Sequence, residues 1–97
     1  MRNLLVRHAF FTPADVYQAR KRIAPYVHHT PLVEAPELSA LTSGSVYLKL
    51  ENLQHTFSYK PRGAANRLLT LSTEERERGV ITVSTGNHGR AVASIAR

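Results

Sequence analysis

Two short segments carry residue types able to do chemistry. In Ser58-Tyr59-Lys60-Pro61-Arg62-Gly63 a lysine stands where a loop turns into a helix, since Pro61 suits a first helical turn and Leu68-Leu69 follow. An ammonium is disfavoured at the positive end of a helix dipole, and Arg62 adds a second cation nearby. Both favour the neutral amine that attacks carbonyls. The competing reading is a solvated surface lysine, the usual fate of this residue type. In Ser84-Thr85-Gly86-Asn87-His88-Gly89 a strand gives way to a helix, and ligands of open α/β sheets bind at that end of a strand. Gly86 is expected to supply a positive φ or a close backbone approach, and Asn87 has two amide donors for a ligand oxygen. Here the competing reading is a Ser or Asn helix cap with glycine in the turn. Neither segment is specific alone, and both G-x-G-x-x-G and G-x-x-x-x-G-K-[ST] are absent.

The elements that must position these segments can be read from local signals. Thr12-Pro13-Ala14-Asp15 starts a helix expected over Pro13 to Ala24, with Thr12 as the cap and Asp15 at the positive dipole end. Pro25 stops it, and the run to Thr30-Pro31-Leu32 is an extended connector because residues before proline avoid the helical region. Ser39 to Thr42 reads as a short helix closed by Ser43-Gly44. Val46-Tyr47-Leu48-Lys49-Leu50 alternates as a strand with one covered face. A polar connector, Glu51 to Thr56, leads to the lysine helix, which is expected to begin close to Ser58. Ser72-Thr73-Glu74-Glu75 is a capping box for a helix ending before Gly79. Val80-Ile81-Thr82-Val83 has the β-branched, apolar character of a strand buried in a parallel sheet. A last helix is expected from Arg90 onward, and the sequence stops inside it. The alternation of strands and helices implies an α/β parallel sheet of which two strands are supplied, so the expectation is a truncated chain forming one unit over residues 1–97.

Composition narrows the classes further. The chain has 97 residues, 13 Lys+Arg against 7 Asp+Glu for a net charge of +6, and no cysteine. Without cysteine there is no disulfide framework, thiolate metal site or cysteine nucleophile, which suits a reducing compartment and makes cytoplasmic the expected location. No stretch reaches the roughly 18 apolar residues of a membrane span, and Leu4-Leu5-Val6 is cut off by Arg7 and His8. His8 is expected in a disordered N-terminal segment. The basic balance raises the prospect of a polyanion partner, but Arg20-Lys21-Arg22 is the densest cluster, and Arg76 and Arg78 alternate with Glu74, Glu75 and Glu77 as on a solvated helix. A nucleic-acid-binding module is therefore the non-enzymatic alternative, disfavoured for want of a basic face with interleaved aromatics. His28-His29 and His55 lack a carboxylate at ligand spacing, so no metal is expected.

Taken together, Thr30-Pro31-Leu32, Lys49-Leu50-Glu51-Asn52-Leu53-Gln54, Thr56-Phe57-Ser58-Tyr59-Lys60-Pro61-Arg62-Gly63-Ala64 and Ser84-Thr85-Gly86-Asn87-His88 resemble the threonine dehydratase and serine racemase family of pyridoxal-phosphate enzymes. The resemblance runs from Thr12 to Arg97 and implies the N-terminal part of a tryptophan-synthase-β-like, fold type II architecture. It implies that Lys60 holds pyridoxal 5'-phosphate as a Schiff base, that Asn87 donates to the ring's 3-oxygen, and that Tyr59, in place of a usual phenylalanine, packs near the ring. Ser58, Ser84, Thr85 and His88 are the implied substrate-binding residues. Thr85 stands where serine racemases have an acid/base serine and many dehydratases an alanine. Phe57 stands where the family commonly has glycine, which implies altered backbone or a reshaped pocket wall. The wording of both motifs looks more like the dehydratase-like proteins of hydroxyectoine utilisation than like biosynthetic threonine dehydratase.

The implied activity is β-elimination and deamination of a hydroxy amino acid, as in threonine or serine ammonia-lyases. Racemisation or β-replacement with the same cofactor is the alternative. The implied partners are a small amino-acid substrate and further copies of the same protein, with neither nucleic acid nor membrane. The resemblance places the phosphate cradle and the pyridine-nitrogen partner beyond Arg97, so the chain by itself is expected to bind cofactor poorly and to be inactive.

Overall fold

The structure, a computed structural model, describes residues 11–97. The expectations for Leu4-Leu5-Val6 and His8 lie outside the described residues. Helix α1 spans Pro13–Ile23 and opens on a reciprocal cap in which the Thr12 hydroxyl accepts from the Asp15 amide at 3.3 Å and the Asp15 carboxylate accepts from the Thr12 amide at 2.6 Å. The Thr12 amide foremost, and then the Thr12 hydroxyl donating to the same carboxylate at 2.8 Å, hold the Asp15 carboxyl below its ordinary value. Arg20, Lys21 and Arg22 occupy the last turn, where cations complement the negative end of the dipole. One tight turn, Ala24–Tyr26, carries Pro25 and ends the helix.

Strands β1 (Leu32–Glu34) and β2 (Tyr47–Lys49) flank helix α2 (Pro36–Thr42), which ends on Ser43 in the left-handed conformation. The helix starts three residues before the expected Ser39, because Pro36 takes its first position. The two strands pair antiparallel, with Val33 opposite Leu48. This corrects the expected parallel sheet: the sheet among the described residues is a two-stranded antiparallel ribbon. Its faces stay open, with Tyr47, Leu48 and Lys49 all exposed, so the alternation in Val46–Leu50 does not mark a covered face.

Helices α3 (Lys60–Leu69), α4 (Thr73–Arg78) and α5 (Asn87–Ile95) complete the chain. The Ser72 capping box forms as expected, and Gly79 closes α4 with φ +78, a conformation that glycine adopts without a Cβ clash. Helix α3 packs on α5 and on α1. The buried residues of α3 and α5 include Ala64, Ala65 and Ala91, whose small side chains allow close approach of the helix axes. A hydrogen bond from Arg22 to Asn66 ties α1 to the same assembly.

Among the described residues Val80–Val83 pairs with no strand, which corrects the second expected strand. A strand of this composition is stable only between neighbours, and among the described residues none stands beside it: Ile81 is 99 % exposed and Val83 95 %. The open arrangement also shows in the radius of gyration, 17.5 Å, against about 12.5 Å for a compact domain of this length. Among the described residues no helix is long and apolar enough to cross a membrane.

Candidate active site

Lys60 is the first residue of α3, at the junction where the sequence put it. Its side chain is partly buried, and the ammonium nitrogen lies 5.2 Å from the centre of the exposed Tyr59 ring. No acceptor among the described residues takes a hydrogen bond from that nitrogen. Ser58 is buried, and its hydroxyl accepts from the Lys60 amide at 3.4 Å, fixing the approach to the helix.

The loop before it is built from polar ties. Gln54, 1 % exposed, accepts from the His28 amide at 2.8 Å and the His55 amide at 3.0 Å, and donates to the His28 carbonyl at 2.9 Å. Glu51 accepts from the Arg62 Nε with both oxygens at 3.0 Å, from its terminal nitrogen at 2.7 Å and from the Thr30 hydroxyl at 2.7 Å. Arg62 also donates to the His28 carbonyl at 3.1 Å. The guanidinium beside Glu51 holds its carboxyl below the ordinary value, against a smaller opposing effect of burial. Arg62, expected as a second cation near Lys60, is thus paired with a carboxylate, which weakens its expected effect on the amine. Glu51 and Gln54 read as a polar connector in sequence; the separation of 26 residues between Gln54 and His28 hides their role. The His28 and His55 rings, held by the same contacts, lie 3.7 Å apart.

Thr56 and Phe57 both have φ of +61°, the left-handed region, and the buried Thr56 hydroxyl has no partner among the described residues. Phe57 therefore holds a conformation in which glycine is at ease, and it places a bulky ring there at a cost in strain. That ring lies 5.9 Å from the Arg90 guanidinium carbon on α5, and this is where the two motifs meet.

The second motif starts α5 at Asn87, three residues earlier than Arg90. Gly86 has φ 169° and ψ −90°, outside the positive-φ range expected for it, and among the described residues nothing beyond its chain neighbours lies within 4 Å of a Cβ placed there. The glycine in close contact is Gly89, where a Cβ would meet the Ser84 Cβ at 3.4 Å. Ser84 accepts from the Gly86 amide at 3.1 Å, and α5 has no side-chain cap, which removes the competing cap reading. Its first amides are left for another acceptor. Ser84, Thr85, Asn87 and His88 are all exposed. His88 lines an open apolar groove with Val80 and Ile81 that contains neither Lys60 nor Asn87. Among the described residues no hydrogen bond joins the Lys60 and Asn87 side chains.

Residues 23–97 match the pyridoxal-phosphate dependent enzymes. The chain belongs to that family. The L-threonine ammonia-lyase of Thermotoga maritima is 46% identical over 86 residues, which are 89% of this chain and 21% of that protein. Maize serine racemase superposes with a TM-score of 0.76 at 40% identity, covering 84% of this chain and 26% of the racemase. The serine racemase of Dictyostelium discoideum gives 0.76 at 44% identity, covering 82% and 26%. The chain thus spans about a fifth to a quarter of the length of these relatives. Family and neighbours fit the fold type II class expected from the motifs, with the ribbon and the unpaired 80–83 segment as its local form here. The residues present suit the cofactor: a primary amine with no acceptor among the described residues, able to meet an aldehyde, together with an exposed amide on Asn87 and helix amides without a side-chain cap, able to meet oxygens.

Proposed function

We propose that the protein is a pyridoxal-phosphate-dependent lyase that removes water and then ammonia from a hydroxy amino acid of the threonine or serine type. The single observation that carries this reading is the position of Lys60, partly shielded at the start of α3 with no acceptor for its amine among the described residues, within one of two motifs brought together by α3 and α5. When bound, the cofactor supplies an electron sink for a carbanion at the substrate α-carbon. Lys60 would hold the cofactor through its amine and, as a free amine, would be the base that takes the substrate's α-proton. The β-hydroxyl leaves with a proton as water, and hydrolysis of the resulting unsaturated amine gives a 2-oxo acid and ammonia.

Asn87 orients the cofactor through its amide, and Tyr59 packs beside it. Ser58, Ser84, Thr85 and His88 hold the substrate carboxylate and shape its surroundings; all but the buried Ser58 are open to solvent. Thr85 supports a second reading, racemisation, because its hydroxyl can hold or deliver a proton. The test is product analysis of the holoenzyme with L-threonine and L-serine. Ammonia and a 2-oxo acid support the lyase, an inverted amino acid supports the racemase, and full activity of Lys60→Ala overturns both.

A further inference from the structure

We propose that Gln54 is a positioning residue, a clamp that holds the strained Thr56-Phe57 turn and through it aims Lys60; the proposal rests on Lys60 as the cofactor's attachment point. Two consecutive non-glycine residues in the left-handed region, one of them β-branched, are not in a conformation of their own choosing. The buried hydroxyl of Thr56 points the same way, since it meets no acceptor among the described residues. Such conformations persist only where the surroundings over-determine them. The surroundings here are specific. One buried amide uses three hydrogen bonds to join His55, at the start of the turn, to both backbone groups of His28. A backbone bond from the Phe57 amide to the Gln54 carbonyl at 2.8 Å closes the turn on the same residue. On the far side of the turn Arg62 returns to the same His28 carbonyl, so residues 54–62 are fastened to the 28–30 connector at both ends with Lys60 between.

A clamp working against strain predicts a rescue that a purely structural residue does not. In the holoenzyme, Gln54→Ala lets the turn relax and lowers the rate of borohydride-fixed pyridoxyl labelling of Lys60 by about tenfold or more. Adding Phe57→Gly to Gln54→Ala removes part of the reason for relaxing and recovers most of that loss. Hydrogen exchange supplies a readout that does not need the cofactor: amides of residues 55–60 exchange faster in Gln54→Ala and slower again in the double variant. Equal labelling and exchange in wild type and Gln54→Ala overturns the clamp, as does a loss of either that Phe57→Gly leaves unrepaired. If Gln54→Ala does not fold, the double variant decides, since recovery of a folded protein supports the clamp and its failure overturns it. Absence of label on Lys60 in the wild type counts against the functional reading, and exchange at residues 55–60 then still decides the clamp.

Discussion

Replacing Glu51 by glutamine keeps the shape of the side chain and removes the charge that pairs Arg62. The loss can be sized from the geometry. Arg62 presents two nitrogens to the carboxylate at 2.7 to 3.0 Å, Thr30 adds a hydroxyl at 2.7 Å, and the side chains are 32% and 17% exposed for Arg62 and Glu51. Breaking a fully buried pair costs about 3–5 kcal/mol, and an exposed pair contributes about 0–1 kcal/mol. Partial exposure and the residual bonds of the glutamine amide put Glu51→Gln at about 2 kcal/mol of destabilisation. The pH dependence has a definite sign. Because Arg62 lowers the Glu51 carboxyl below 4.5 in the folded protein, its contribution is fully present above the unfolded value of 4.5. It is lost as pH falls through the lower, folded value. Denaturant unfolding of wild type and Glu51→Gln at neutral pH and at successively lower pH measures both quantities. The difference should be near its full size at neutral pH and shrink below 4.5. A neutral-pH difference below about 0.5 kcal/mol, the range of an ordinary surface change, refutes the reasoning, as does a difference undiminished in acid.

Other substitutions test single features of the fold and site. Gly79→Ala should destabilise by about 1 kcal/mol in denaturant unfolding, since the new Cβ must sit at φ +78. Ser72→Ala removes the hydroxyl that accepts from the Glu75 amide and should cost about 1 kcal/mol by the same measurement. Asn87→Ala should weaken cofactor binding about tenfold in a fluorescence titration, the equivalent of one lost hydrogen bond, and leave the unfolding midpoint of the apoprotein within error.

The sequence exposed what depends on neighbours along the chain. Thr12 and Ser72 announced their helices because a cap and its partner lie three residues apart, and Pro61 announced α3 because proline suits a first turn. The junction holding Lys60 was legible for the same reason. The strand at Val80–Val83 was misread because composition describes how residues sit between neighbours, and pairing is decided far away in sequence. The ties from Gln54 to His28 and from Glu51 to Arg62 were invisible on the same ground: polar residues in a connector look alike whether they face water or a distant backbone. Arg62 shows the consequence. Proximity in sequence made it a neighbour of Lys60, whereas folding turned its charge to a carboxylate eleven positions earlier.

The central claim concerns one amine. Reconstituting the full-length protein with pyridoxal phosphate, reducing with borohydride and mapping the modified peptide by mass spectrometry locates the attachment point directly. The account predicts a single pyridoxyl group on Lys60 and none in Lys60→Ala. A label on Lys21, Lys49 or no lysine at all contradicts it.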